Sequence, residues 1–166
     1  MNLPLPLRII NGITVVVFLA FAAVQYNDID PETYYRASSL DAALWLAFYA
    51  LIAILFALTF WRRLAPNWLL LAGALACIVE MFRTGWGLWI NLFGEKDFTM
   101  MQYSMSAEDP RVEVTREFFG ALLALTAVAL LWWERRRFSS RAAGLSAEET
   151  SPSPAVESAK SEPPLA

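Results

Sequence analysis

Residues 9–27, 42–61 and 118–133 carry no charged side chain. Between them polar and charged positions gather in short clusters. A bilayer core of about 30 Å takes roughly 17 to 25 apolar residues per helix, so each charge-free stretch predicts a membrane-spanning helix. The first is placed at residues 9–26, with Asn11 and Gly12 interrupting its start. The second, 42–61, follows Ser38-x-x-Asp41, a helix-start pattern in which a serine oxygen accepts from free amides and the acid sits at the positive helix end. The third, 68–92, follows an Ala65-Pro66-Asn67 turn and carries Glu80 and Arg83 within its apolar run. The fourth, 117–134, is short by itself. Asp109 followed by Pro110 reads as an N-cap with proline at the first helical position, so that helix starts before the membrane and continues beyond Trp133. At about 1.5 Å per residue, its aqueous turns supply the missing length.

The pattern therefore predicts an all-α integral membrane protein, a bundle of four transmembrane helices over residues 1–138. The remainder, 139–166, is poor in aromatics and rich in Ser, Pro, Ala and Glu, and reads as a disordered cytoplasmic tail. Arg8 ahead of the first span, with Ala20-x-Ala22 behind it, also has the outline of a signal peptide. Asn11 and Gly12 break the apolar region such a peptide needs, and the run continues to spanning length. Arg8, Arg62, Arg63, Arg135, Arg136, Arg137 and Arg141 cluster at the termini and the second connection, whereas Arg36, Lys96, Arg111 and Arg116 are spread over the longer first and third connections. The positive-inside rule then puts both termini in the cytoplasm and the acidic first and third connections outside, in a multi-pass protein of the cell membrane.

Composition sharpens this reading. The chain has 166 residues, of which 57% are hydrophobic and 17% charged, with a mean hydropathy of +0.43; a soluble domain carries about 25% charged residues. There is no histidine, which excludes His-based general base catalysis, Ser-His-Asp and Cys-His nucleophiles, and haem or zinc held by imidazole. Cys77, the single cysteine, allows no intrachain disulfide and sits in an apolar run as a small core residue. A net charge of −3, with no basic aromatic patch in a soluble segment, argues against nucleic acid. The partners expected are the lipid bilayer and either another membrane protein or a second copy of the chain; no cofactor is expected.

Candidate chemistry collects at three places. After the first span, Gln25, Asn27, Asp28 and Asp30 offer oxygens at two-residue spacing, as hard cations require. The same residues serve equally as a turn, with Asp30 capping and Pro31 at N1. In the third span Gly73, Ala76, Cys77, Glu80, Arg83, Thr84 and Gly87 recur every three to four residues, gathering small and polar side chains on one face. A lone charge in the bilayer costs about 2.5–3.5 kcal/mol on insertion scales, so Glu80 and Arg83 pair with each other or with another span. At the head of the fourth span Glu113, Arg116, Glu117 and Gly120 form a second one-sided stripe, and Gly120 with Ala124 permits close helix contact. In a four-span chain the end of span one and the start of span four share a membrane face, so Asp28 is expected to meet Arg116, with Arg83 near the same level. Met100, Met101 and Met105 offer thioethers of the kind Cu(I) takes, without the histidine or cysteine that usually completes such a site. Trp86, Trp89, Trp132 and Trp133 read as interface anchors.

Asn11-Gly12, Gln25-x-Asn27-Asp28-x-Asp30 and Arg116-Glu117-x-x-Gly120 resemble the pattern of the transmembrane protein 220 family, over roughly Asn11 to Trp133 and without the tail. The chain departs from it at Ile29, where the family commonly has proline. The resemblance implies a small multi-span membrane protein and supplies no catalytic assignment. Three functions are compatible with these residues: a non-enzymatic membrane subunit whose polar cluster fixes the fold or holds a partner, a transport or channel component using Glu80 and Arg83, and an intramembrane enzyme holding a divalent ion on Asp28, Asp30 and Glu117.

Overall fold

The computed structural model describes residues 4–35, 37–61 and 65–149; for Asn27 and residues 139–149 the backbone alone is described. Helix α1 spans Leu5–Val24, α2 Ser39–Phe60, α3 Asn67–Phe93 and α4 Arg111–Glu149, with single three-ten turns at Gln25–Asn27 and Gln102–Ser104. All four helices are long and apolar enough to cross a membrane, and the chain is an integral multi-pass membrane protein.

Local sequence accounts for the helix ends. α1 begins at Leu5, earlier than the apolar run, because Pro4 and Pro6 lie where missing amide hydrogens are harmless and the Arg8 amide closes the first turn on the Pro4 carbonyl at 3.2 Å. Ser38 caps α2 by accepting from the Asp41 amide at 3.4 Å, and Asp41 lies in the first turn, where a negative charge is favoured. α3 follows Pro66 and ends at Gly94, whose amide returns to the Ile90 carbonyl at 2.8 Å. In α4 the Val114 amide bonds the Pro110 carbonyl at 2.9 Å. The compositional boundary at Ser139 does not interrupt the backbone, since α4 runs on to Glu149. A helix already nucleated by the span propagates readily through Arg141, Ala142, Ala143, Leu145 and Ala147, all good helix formers. The rest of the expected tail, residues 150–166, lies outside the described residues.

α1 packs along α2 and α3 along α4, giving two antiparallel pairs; α2 and α4 make the thinner contact that joins them. The shared core contains Phe18, Tyr49, Ile52, Phe56, Ala121, Ala124, Val128 and Leu131. Small residues set the approach of the helices. At Gly87 a Cβ would lie 2.6 Å from Cβ of Val114, and at Gly120 it would collide with the Tyr49 hydroxyl. Ile9, Ile13 and Val16 of α1 and Leu71, Leu75, Val79 and Phe82 of α3 remain exposed on single helix faces, the surface that hydrocarbon covers in a membrane. Trp132 and Trp133 carry Arg136 and Arg137 over their rings at 3.7 and 5.1 Å, as expected of aromatic anchors beside a charged border. Cys77 is a free, buried thiol.

Candidate functional site

The two helix pairs part at the end of the bundle where the first and third connections lie. Between α1, α2 and α4 they leave a cavity of about 760 Å³. Its floor and walls are apolar, with Phe21, Trp45, Tyr49, Phe119, Leu122 and Leu123; its mouth is polar, with Gln25, Asp28, Tyr34, Asp41, Glu113, Arg116 and Glu117. Helical periodicity produces this division. On α4, Glu113, Arg116, Glu117 and Gly120 share the face turned toward α2, and Gly120 leaves room for Tyr49.

Several polar residues of the mouth are held by a partner from another element. Glu113 accepts the Tyr35 amide at 2.6 Å, which pins the first connection against α4. Glu117 accepts from Arg83 at 3.1 Å, and Arg83 also pairs with Glu80 at 2.6 Å within α3. This acid–base–acid chain joins α3 to α4 at the side of the cavity, where a second hollow of about 600 Å³ is lined by Arg83, Tyr35, Asp41, Glu113 and Glu117. Glu80 lines neither hollow. Nη1 of Arg116 donates to Sδ of Met105 at 3.3 Å. Tyr34 is partly buried and donates its phenol to Asp28; burial first, and the Asp28 hydrogen bond next, push the phenol above its usual range, so it remains a neutral donor.

Several expectations are changed by this geometry. Asp28 and Arg116 line one cavity but form no ion pair; Tyr34 donates to Asp28, and Arg116 reaches Met105. Asp30 takes no part in the mouth. Its Oδ1 accepts the Glu32 amide at 3.1 Å and its Oδ2 the Thr33 hydroxyl at 2.8 Å, so it caps its own turn. The ligand set Asp28, Asp30 and Glu117 is therefore not assembled, and among the described residues no three His, Cys, Asp or Glu side chains gather to hold a metal. The Asn27 side chain is outside the described residues. Met100 and Met105 line the cavity, whereas Met101 lies exposed, so the three thioethers do not converge.

Two buried polar networks join residues that sequence reasoning left apart. In one, Nη1 of Arg111 donates to Oδ1 of Asn91 at 2.9 Å and to the Asp97 carbonyl at 2.8 Å, while Nδ2 of Asn91 donates to the Thr99 carbonyl at 2.8 Å and to Thr115 at 3.1 Å. Asp109, read from sequence as a cap, receives Lys96 at 2.5 Å and Arg111 at 3.2 Å; the Lys96 ammonium holds its carboxyl below the usual range. This network lashes the third connection to α3 and α4, forming the roof beside the cavity. The other joins Asn11, Thr59 and Glu134 at the opposite end of the bundle. Asn11 and Glu134 are visible in the sequence as a polar break and a span-ending acid, but nothing local reveals that they meet.

Comparison with curated proteins found no match, and comparison with solved structures found none either. A family model described as "Transmembrane family 220, helix" matches residues 17–133, which take in both hollows, the whole of α2 and α3, the last part of α1 and α4 as far as Trp133. On that match, which covers most of the chain, the protein belongs to transmembrane family 220.

Proposed function

We propose that the protein is a non-enzymatic membrane subunit whose cavity holds one amphiphile, a zwitterionic aminophospholipid, on the outer side of the membrane. The observation that carries this reading is the cavity's own division into a polar mouth and an apolar interior between α1, α2 and α4. Its charges complement such a headgroup. Arg116 offers a guanidinium to the phosphate, and Asp28 and Asp41 offer carboxylates to the ammonium. Leu122, Leu123 and Thr126 line the cavity and are also exposed on the outer face of α4, which supports entry from the bilayer for an acyl chain.

A through-path receives less support. Below Tyr49 and Gly120 the interior is filled by Phe18, Ile52, Phe56, Ala124 and Val128, so the cavity ends blind in a packed core. The enzyme reading loses Asp30 to its own turn. Native mass spectrometry on the protein in nanodiscs of mixed phosphatidylethanolamine and phosphatidylglycerol tests the proposal. One phosphatidylethanolamine should stay bound to the wild type. Arg116→Glu should reduce its retention by about tenfold, equivalent to about 1.4 kcal/mol, and Thr126→Trp should block the side entrance and do the same. Equal retention by all three proteins would refute the proposal.

A further inference from the structure

At the end of the bundle opposite the cavity, Asn11 of α1, Thr59 of α2 and Glu134 of α4 are 0%, 4% and 1% exposed. Nδ2 of Asn11 donates to Oγ1 of Thr59 at 3.0 Å and to Oε2 of Glu134 at 3.2 Å, and the Thr59 hydroxyl donates to the Phe56 carbonyl at 2.6 Å. These bonds use both amide hydrogens of Asn11 and the hydroxyl hydrogen of Thr59, which are all the side-chain hydrogens that an ionised cluster has to give. Oδ1 of Asn11 and Oε1 of Glu134 are left buried with no donor. Buried acceptors in native structures are almost always satisfied, and the penalty is larger for an ionised carboxylate within a span. Exchanging the oxygen and nitrogen of the Asn11 amide does not help, because it sets Oδ1 against Oε2 of Glu134 and again calls for a hydrogen between two oxygens.

The α4 cations that follow Glu134 are engaged elsewhere. Arg135 of α4 donates to the Ala65 carbonyl, and Arg136 and Arg137 stack over Trp132 and Trp133. Arg8 lies one turn before Asn11 on α1; Arg62 and Arg63, which follow α2, are outside the described residues; α3 has no charged residue before Glu80. None of the ion pairs among the described residues includes Glu134. A metal ion does not suit the vacancy, because hard cations take about six or more oxygens and this cluster has two acceptors to spare.

We propose that Glu134 is a proton-binding site. One proton from water at that membrane face adds to Oε1, converting the carboxylate to a carboxylic acid, and the new hydroxyl donates to Oδ1 of Asn11. Amide and acid then form a cyclic pair that is fully satisfied and uncharged, with Thr59 orienting the amide through its second N–H. Bound proton thereby holds α1 to α4 where no other described hydrogen bond joins these two helices. Loss of the proton leaves a bare charge between them. This inference is independent of the cavity and of what the cavity binds.

Infrared difference spectroscopy of the protein reconstituted in lipid at neutral pH tests the site. The wild type should show a carbonyl stretch of a hydrogen-bonded carboxylic acid, shifted in D2O and lost in Glu134→Gln. Asn11→Leu should move that band to the position of a weaker hydrogen bond. Because Gln supplies an N–H where the acid supplies O–H, Glu134→Gln should keep the wild-type thermal midpoint, while Glu134→Ala should lower it. The double variant Asn11→Leu with Glu134→Leu, which removes every orphaned group at once, serves as the band-free reference if a single variant fails to fold. Identical carboxylic-acid bands in the wild type and that reference would overturn the proposal. So would a carboxylate band at Glu134 that responds to replacing potassium by sodium, the mark of a bound metal cation.

Discussion

Asn91 shows how much depends on one side chain in this bundle. Its amide and carbonyl together engage Arg111, Thr115 and the Thr99 backbone, so three elements converge on a residue that the sequence presents as an unremarked polar position near the end of a span. Asn91→Leu has the right volume and none of the hydrogen bonds. It removes one acceptor from the Arg111 guanidinium and one donor from the Thr115 hydroxyl, and it takes the side-chain partner from both the Thr99 N–H and the Thr99 carbonyl. An unsatisfied buried group costs about 1–3 kcal/mol in the general case, and less at Arg111 and Thr115, which keep Asp97 and Asp109 and the Arg111 carbonyl. Thermal unfolding in detergent should show a clear loss of stability, and limited proteolysis should cut first in the third connection, residues 94–110. An unchanged midpoint with an uncut connection would mean that the roof is held by other contacts. The Glu80, Arg83 and Glu117 chain is the better-announced counterpart: the sequence offered Glu80 and Arg83 either each other or another span as partner, whereas the choice of Glu117 as third member belongs to the packing of α3 on α4.

Among the described elements, the α3–α4 pair is the most extensive contact, and at Gly87 it is too close to Val114 to admit a Cβ. Helices in a membrane gain nothing from hiding apolar surface from lipid, so association rests on close packing and polar links. Adding a methyl at Gly87 sets it 2.6 Å from a branched Cβ that cannot swing away, and the helices must separate. Gly87→Ala should destabilise by about 1–3 kcal/mol. Val114→Ala should restore part of the loss in the double variant, a coupling that a double-mutant cycle in detergent melts will measure; additivity would place the strain elsewhere. The stripe of small residues on the third span was legible in the sequence because helical periodicity alone defines a face. Which of its members meets a neighbour was not, since Gly73 faces Val128 and Gly87 faces Val114 only after the register of the two helices is set.

For the whole molecule, the arginines predict a direction. Both termini are proposed to face the cytoplasm, with the cavity mouth on the other side. On a Cys77→Ala background, cysteines placed at Ser104 and Ser153 should behave differently toward an impermeant thiol reagent in intact cells, with labelling at Ser104 alone. Labelling at Ser153 alone would invert the molecule and place the cavity mouth in the cytoplasm.

The amino-acid sequence by itself determined four spans, the Ser38 cap of the second and the faces on which small and polar side chains gather, because these follow from bilayer thickness, helical period and the chemistry of free amides, all of which act locally. Tertiary structure alone decided the partners: Asp28 with Tyr34 rather than Arg116, Glu113 with the Tyr35 amide, Glu117 with Arg83, and Asn11 with Glu134 across the length of the chain. The physical reason lies in α1 and α2. Their apolar surfaces are acceptable to lipid over most of their circumference, so hydrophobic pattern does not fix how far each helix rotates or slides against its neighbours. That choice falls to a few close contacts and buried hydrogen bonds, which exist only once all four helices are in place.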